Sequence, residues 1–408
     1  MKRRMNGEGT IYFDKVKKLW IGQKMINSKR RKVASKTQKE LKAKLKDLEN
    51  NIVTSSSTTL LQMIEKNEKY KLDANITSEN TYYRNCSTIK HIKTSDIANF
   101  PITKITSEQI QAFLNTKLHL SQSYIDKLYD MVNEAFAKAI KENLLLKNPM
   151  LNVTRPTSTK TVKEVIAFEV YEQKQLINYI LTQDLIATSN CKYDNITIKN
   201  FILIALFTGL REGELGAIDY EENINLTSEQ FEITRTLTKD INGRTKIGTT
   251  TKTGKKQIKN KKQDKKIIPF CIYDKEFIYS IIEEQITLAK NNPQNIKNLL
   301  FCKKDGSPIV ITEINNIFKR ICREARVKLE LPKGCNFHMT RHTFITRAIE
   351  AGIPTIVIAK LVGHKNTKQI EETYGHILDK FRNKQLENLN NYYTKENIIF
   401  IDKFSGAV

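Results

Sequence analysis

The stretch FHMTRHTFITRAIEAGIPTIVIAKLVGHKNTKQIEETYGHI, residues 337–377, constrains the chain more than any other. His338 and Arg341 stand three apart at the head of a helix-like apolar run that Gly352 closes. A second short helical run ends at Gly363-His364, and Tyr374 lies ten residues beyond. Far upstream, TGLREGEL at 208–215 supplies a second arginine, Arg211. A guanidinium is a planar fork of donors that fits a phosphate or a carboxylate bidentately. Two such forks with imidazoles and a phenol suggest phosphoryl chemistry with the tyrosine as nucleophile.

Charge points to the same substrate class. The 408 residues carry 68 Lys and Arg against 44 Asp and Glu, a net charge of +24. A balance so basic predicts a polyanionic partner, because neutralising phosphates releases counterions. The length predicts two or three domains. The six cysteines (86, 191, 271, 302, 322 and 335) are scattered without a C-x-x-C pair. That argues against a zinc module or a disulfide framework and fits a reducing compartment. The N-terminus MKRRMNGEGT lacks the apolar run of a secretory signal, and FILIALF at 201–207 is too short to cross a bilayer. The expectation is a soluble cytosolic protein with no membrane partner.

Taken in order, residues 1–54 form a basic unit; sixteen Lys and Arg oppose five acids in the first fifty. GTIYFDKVKKLWIGQKMI reads as two short strands turning around Asp14–Lys18, and a third strand is expected after a basic turn at Ser28–Lys32. SKTQKELKAKLKDLENNI, from Ser35, has helical spacing with Leu41, Leu45 and Leu48 on one face. After SSSTT at 55–59, residues 58–150 read as a helical bundle, with Ser107 capping one helix and Ser121 or Ser123 another. The polar, Pro156-containing stretch 151–164 is expected to be a linker. Residues 165–408 form the last unit, with helices near 171–182 and 197–208, the latter buried on most sides and ended by Gly209. Strands follow in FEITRTLTKDINGRTKIGTTTKT, with Asn242-Gly243 as a hairpin turn, and resume at IIPF, 267–270. Eleven basic residues between Lys239 and Lys266 make that hairpin suited to a DNA groove. Helical patterns return at 274–290 and 312–328, and a polar-apolar tail follows Tyr374.

Singly, each candidate residue is unremarkable: H-x-x-R is more often a surface pair, and Arg211 could be paired with Glu212 or Glu214. Their order is specific. T-G-L-R-x-x-E-L, a strand lysine in T-K-T, H-x-x-R-H-T, L-x-G-H and a final T-Y-x-H resemble the tyrosine recombinase (phage integrase) family, strongly over about 168–380. The resemblance implies a multidomain, mainly α fold with small β-sheets. An N-terminal small sheet plus helix would bind arm-type DNA sites, and a helical bundle would bind core sites. An α+β catalytic domain carrying a C-terminal tail would follow.

It also implies roles. Tyr374 attacks the scissile phosphate, giving a 3′-phosphotyrosine and a free 5′-hydroxyl. Arg211 and Arg341 hold the non-bridging oxygens, His338 accepts or orients a proton, and His364 hydrogen-bonds the phosphate. Lys252 is the expected general acid for the leaving oxygen. The two arginines and the lysine would also favour a phenolate. No metal or cofactor is implied. The segment after Lys252 is longer than the family pattern, so Lys262 is an alternative general acid. Arg347 and His342 adjoin the motif without an implied role, and Tyr392 and Tyr393 lack the spacing of the nucleophile. The expected partner is double-stranded DNA at attachment sites, bound by a homotetramer in a bacterial cytoplasm, with an excisionase and a host DNA-bending protein as helpers. A type IB topoisomerase-like enzyme and an inactive architectural DNA-binding protein are the alternatives.

Overall fold

Asp14 starts the first hairpin: its Oδ1 accepts from the Val16 and Lys17 amides at 3.0 and 3.1 Å, and Lys18 takes a left-handed φ of 51°. The turn pairs β1 (Thr10–Asp14) with β2 (Leu19–Ile26), Phe13 opposite Trp20. β3 (Lys29–Ser35) adds the other edge, so the basic residues expected in a turn at 28–32 are strand residues from Lys29 onward. Exposed Arg30, Arg31 and Lys32 suit an edge strand, where charge discourages pairing with another chain. α1 (Gln38–Asn50) covers the sheet with buried Leu41. Gly22 leaves room for Leu45, whose Cδ1 lies 2.6 Å from where a Cβ would stand.

The computed structural model describes residues 10–26, 29–50, 57–160, 166–185, 191–248, 266–270, 275–331, 334–364 and 366–395. The chain divides into two units, Met1–Val162 and Lys163–Val408.

In the first unit the bundle comprises α2 (Leu60–Asp73), α3 (Glu79–Lys93), α4 (Ser107–Asn115) and α5 (Gln122–Lys141). Helix starts follow reciprocal capping: Thr59 with Gln62, and Thr106 with Gln109. The cap of α4 is therefore Thr106 and not Ser107, whose hydroxyl instead donates to the Pro149 carbonyl at 2.8 Å. Ser121 occupies the cap position of α5 without a side-chain capping bond. Leu128, Val132, Ala135, Phe136 and Ala139 of α5 are all buried, as their spacing predicts. Part of the expected linker is tied to this bundle: the Thr154 amide donates to Gln111 Oε1, the Ser158 amide to Gln122 Oε1, and the Thr159 amide to the Leu118 carbonyl.

The second unit is built around α7 (Asn195–Thr208), which follows α6 (Val170–Thr182). Ten of the fourteen α7 residues are buried, so no polar face had to be spared. Gly209 ends it at φ 61°, and the single turn α8 (Glu212–Leu215) begins at once. β4 (Ile224–Asn225), β5 (Gln230–Ile233), β6 (Thr236–Lys239), β7 (Thr245–Gly248) and β8 (Lys266–Pro269) make two sheets. β8 pairs with β5, while β6 and β7 form a separate hairpin whose turn includes Gly243 at φ 80°. The expected long strand breaks at Arg235, whose guanidinium donates to the Ala217 carbonyl and to Asp219 Oδ2, both at 3.0 Å. α9 (Lys275–Lys290) and α10 (Ile311–Glu324) complete the main core. α11 (Met339–Glu350), α12 (Thr355–Val362) and α13 (Lys368–Lys395) close a smaller core of Phe344, Ile345, Ile358, Val362, Ile370 and Tyr374.

The corner at Gly209 admits no side chain. A Cβ there would stand 2.5 Å from Phe344 Cδ1, on a backbone that already disfavours L-residues. Gly209→Ala should cost about 1–3 kcal/mol of stability, read by urea unfolding. An unchanged midpoint would refute it.

Candidate functional site

Arg341 organises the site from the first turn of α11, buried to 2 % exposure. One guanidinium nitrogen donates to the Gly209 carbonyl at 2.7 Å and the other to the Val362 carbonyl, also at 2.7 Å. Both acceptors lie at helix C-termini, where carbonyls lack intrahelical partners and the helix dipole is negative. The side chain thus clasps the ends of α7 and α12. Burial, reinforced by Arg211 nearby, pulls its pKa down to about 10, so it stays charged at neutral pH.

The second of those nitrogens also lies 2.9 Å from His364 Nε2. A guanidinium only donates, so Nε2 accepts and the neutral ring carries its proton on Nδ1. That Nδ1 is buried and finds no partner among the described residues. Burial first, then Arg341, Arg211 and Lys266, hold the His364 pKa down to about 4. The result is a neutral donor next to two guanidiniums.

Arg211 stands at the N-cap of α8, and its Nη1 lies 2.9 Å from Glu214 Oε1. Glu214 is itself buried, and its other oxygen receives Lys266 Nζ at 2.7 Å. Burial alone would raise the Glu214 carboxyl, but Lys266 and Arg211 hold it below the usual carboxylate range. Lys266 comes from the first position of β8; burial lowers its pKa to about 8 despite the pairing with Glu214. Gly363 makes room for its stem, because a Cβ there would lie 2.3 Å from Lys266 Cε. Sequence reasoning missed Lys266 in a run of lysines. The strand alternation that puts Ile268 inside puts Lys266 on the same face.

His338 sits at the N-terminus of α11, its Nδ1 3.9 Å from Glu212 Oε2 and its side chain 44 % exposed. Tyr374 lies in the second turn of α13 and is 2 % exposed. Its hydroxyl is 2.6 Å from Nδ1 of His342, a residue the motif left without a role. The signal was present: His342 follows His338 by four, one helical turn, on the same face of α11. The expectation of a favoured phenolate is not met in the free protein. Burial pushes the phenol well above its ordinary value, and Arg341 offsets this only in part.

The structure thus groups Arg211, Arg341, His364 and Tyr374 with His338 at the rim. Lys252 and Lys262 lie outside the described residues. Tyr392 and Tyr393 are exposed in the last turns of α13; Tyr392 is about 27 Å from Tyr374 along the axis at 1.5 Å per residue. Arg347 is structural, donating to the Phe168 carbonyl at 2.7 Å and pairing with Glu350. Among the described residues no cluster of His, Cys, Asp and Glu could hold a metal ion.

Comparison with known proteins gives the same reading. The chain is 24 % identical over 388 residues to a tyrosine recombinase XerC-like protein of Caldanaerobacter subterraneus subsp. tengcongensis, covering 89 % of this chain and 92 % of that one. It is 24 % identical over 349 residues to the integrase of Staphylococcus phage L54a, covering 83 % and 95 %. The fold matches the Tn1549 transposon integrase, solved in complex with transposon right end DNA, with a TM-score of 0.62 at 19 % identity, over 82 % of this chain and all of that one. Residues 180–380, which contain Arg211, Arg341, His364 and Tyr374, match the phage integrase family. Over that unit the chain matches the phage integrase family, and along most of its length it is similar to a tyrosine recombinase.

Proposed function

We infer that the protein is the site-specific DNA recombinase of a mobile genetic element, cutting and rejoining DNA through a 3′-phosphotyrosine. The observation that carries this is the grouping of Arg211, the neutral imidazole of His364 and the buried Tyr374 around Arg341. A phosphodiester entering there would meet two guanidiniums, whose charge stabilises the pentacoordinate state more than the ground state. The His364 Nδ1 proton has no acceptor among the described residues, and His338 stands at the exposed rim. Lys252, or Lys262 in its place, would protonate the leaving 5′-oxygen. The covalent intermediate keeps the phosphodiester energy, so rejoining needs no nucleotide.

Recombining two duplexes breaks four strands, and each chain offers one nucleophile, which supports a homotetramer on paired attachment sites. The basic sheet of residues 1–54 fits an arm-site module, the bundle at 58–150 a core-site module, and 165–408 the catalytic module. A bacterial cytoplasm, with an excisionase and a host DNA-bending protein as helpers, completes this reading. The transposon and phage origins of the similar proteins support a mobile element.

The test is a nicked suicide DNA substrate carrying the element's own attachment site. Wild type should form a covalent protein–DNA adduct, and Tyr374→Phe none at all. An adduct from the phenylalanine variant would displace Tyr374 as nucleophile. Relaxation of any supercoiled plasmid, without pairing of sites, would favour a topoisomerase instead.

A further inference from the structure

Resting on Tyr374 as nucleophile, we propose that His342 is a catalytic residue that takes the tyrosine's proton as the phenol attacks phosphorus, and returns it on rejoining. The geometry is direct: Nδ1 of His342 lies 2.6 Å from the Tyr374 hydroxyl, with the two ring centroids 5.9 Å apart. The hydroxyl is buried, so bulk water does not reach it to accept the proton. Neighbouring groups are poorly placed to substitute. Guanidiniums have no acceptor, His364 Nε2 already accepts from Arg341, and Lys266 is paired with Glu214.

His342 also leads outward. Its ring packs edge-on against His338 at 4.7 Å and 89°, and His338 is 44 % exposed. The buried phenol, the half-buried imidazole and the rim imidazole thus form a short path from nucleophile to solvent.

The same surroundings keep the proton on the phenol in the free protein. Burial, His338 and Arg341 hold His342 near a pKa of about 4, while burial raises the phenol, so the proton rests on Tyr374. A phosphodiester seated beside Arg341 brings a negative charge that offsets this cation. His342 then becomes more basic at the moment its partner must lose a proton. In the step itself the O–H bond of Tyr374 breaks, its proton passes to His342 Nδ1, and its electron pair forms the O–P bond. The P–O5′ bond breaks with its pair on O5′, which is protonated by the lysine general acid. Rejoining runs these transfers backward.

The experiment compares wild type and His342→Gln on the nicked suicide substrate, each with tyrosine or a more acidic fluorotyrosine at position 374. Glutamine keeps an acceptor oxygen but cannot take a proton. Adduct formation should slow by about 10²-fold or more with DNA affinity unchanged. The fluorotyrosine should restore much of that loss in the variant while changing wild type little. A His342→Gln protein that cleaves at the wild-type rate, or is slow and unresponsive to the fluorotyrosine, overturns the proposal. Circular dichroism checks the fold. Should the variant not fold, wild type carrying fluorotyrosines of graded acidity decides: a shallow dependence of rate on acidity is expected, and a steep one overturns the base. A wild type that forms no adduct, or a Tyr374→Phe variant that does, would instead strike the nucleophile reading itself.

Discussion

Arg341→Lys lowers covalent adduct formation by about 10²–10³-fold, the loss expected when an oriented charge donor leaves a reacting centre. The guanidinium spans two carbonyls and one imidazole at once, at 2.7, 2.7 and 2.9 Å. An ammonium is a single point and cannot bridge the ends of α7 and α12 while still facing a phosphate. DNA affinity should change far less than rate, because binding is spread over many phosphates along the duplex. Single-turnover cleavage and a binding titration on the same substrate separate the two. A lysine variant that cleaves at the wild-type rate would show that Arg341 only packs.

Glu214→Ala acts first on stability. Glu214 is the buried anion shared by Arg211 and Lys266, with Arg341 close by. Removing it leaves buried cations facing one another, at a cost of about 3–5 kcal/mol. For a unit of this size that is a fall in Tm of about 6–20 °C, read by differential scanning calorimetry. The pH dependence has a definite sign. An acid whose folded pKa is depressed contributes stability that is fully present above the unfolded value, about 4.3, and lost as pH falls through the folded one. The gap between wild type and variant should therefore hold through mildly acidic pH and shrink well below about pH 4. Cognate DNA should stabilise the variant more than wild type, because a phosphate supplies the missing counter-charge. A gap that widened on acidification would refute the assignment.

What could be read from the sequence follows from which contacts are local. Arg211 was legible because a buried helix must end at Gly209, leaving the side chain two residues on at a fixed corner. Tyr374 was legible from its spacing after Gly363-His364. Lys266 and His342 were not, because their importance lies in contacts 52 and 32 residues away, with Glu214 and Tyr374. Only weak local hints existed: Lys266 shares a strand face with Ile268, and His342 a helix face with His338. The break after β5 was hidden for the same reason, since Arg235 turns aside to meet Asp219 across 16 residues. The cap of α4 is different. Thr106 and Gln109 form a legible pair, and the more obvious serine next door obscured it. The raised phenol was a matter of balance: charge alone argued for a phenolate, and burial outweighed it.

The bond from Arg341 to Gly209 joins residues 132 apart in the chain. Contacts so distant in sequence close late in folding, after their loop-closure entropy has been met. Synthesis order adds to the delay, since Tyr374 leaves the ribosome after every other residue of the site. A growing or half-folded chain can therefore expose basic surface to DNA while it has no competent nucleophile. Cutting power should arrive last, and a chain truncated before Tyr374 is expected to bind DNA without forming an adduct.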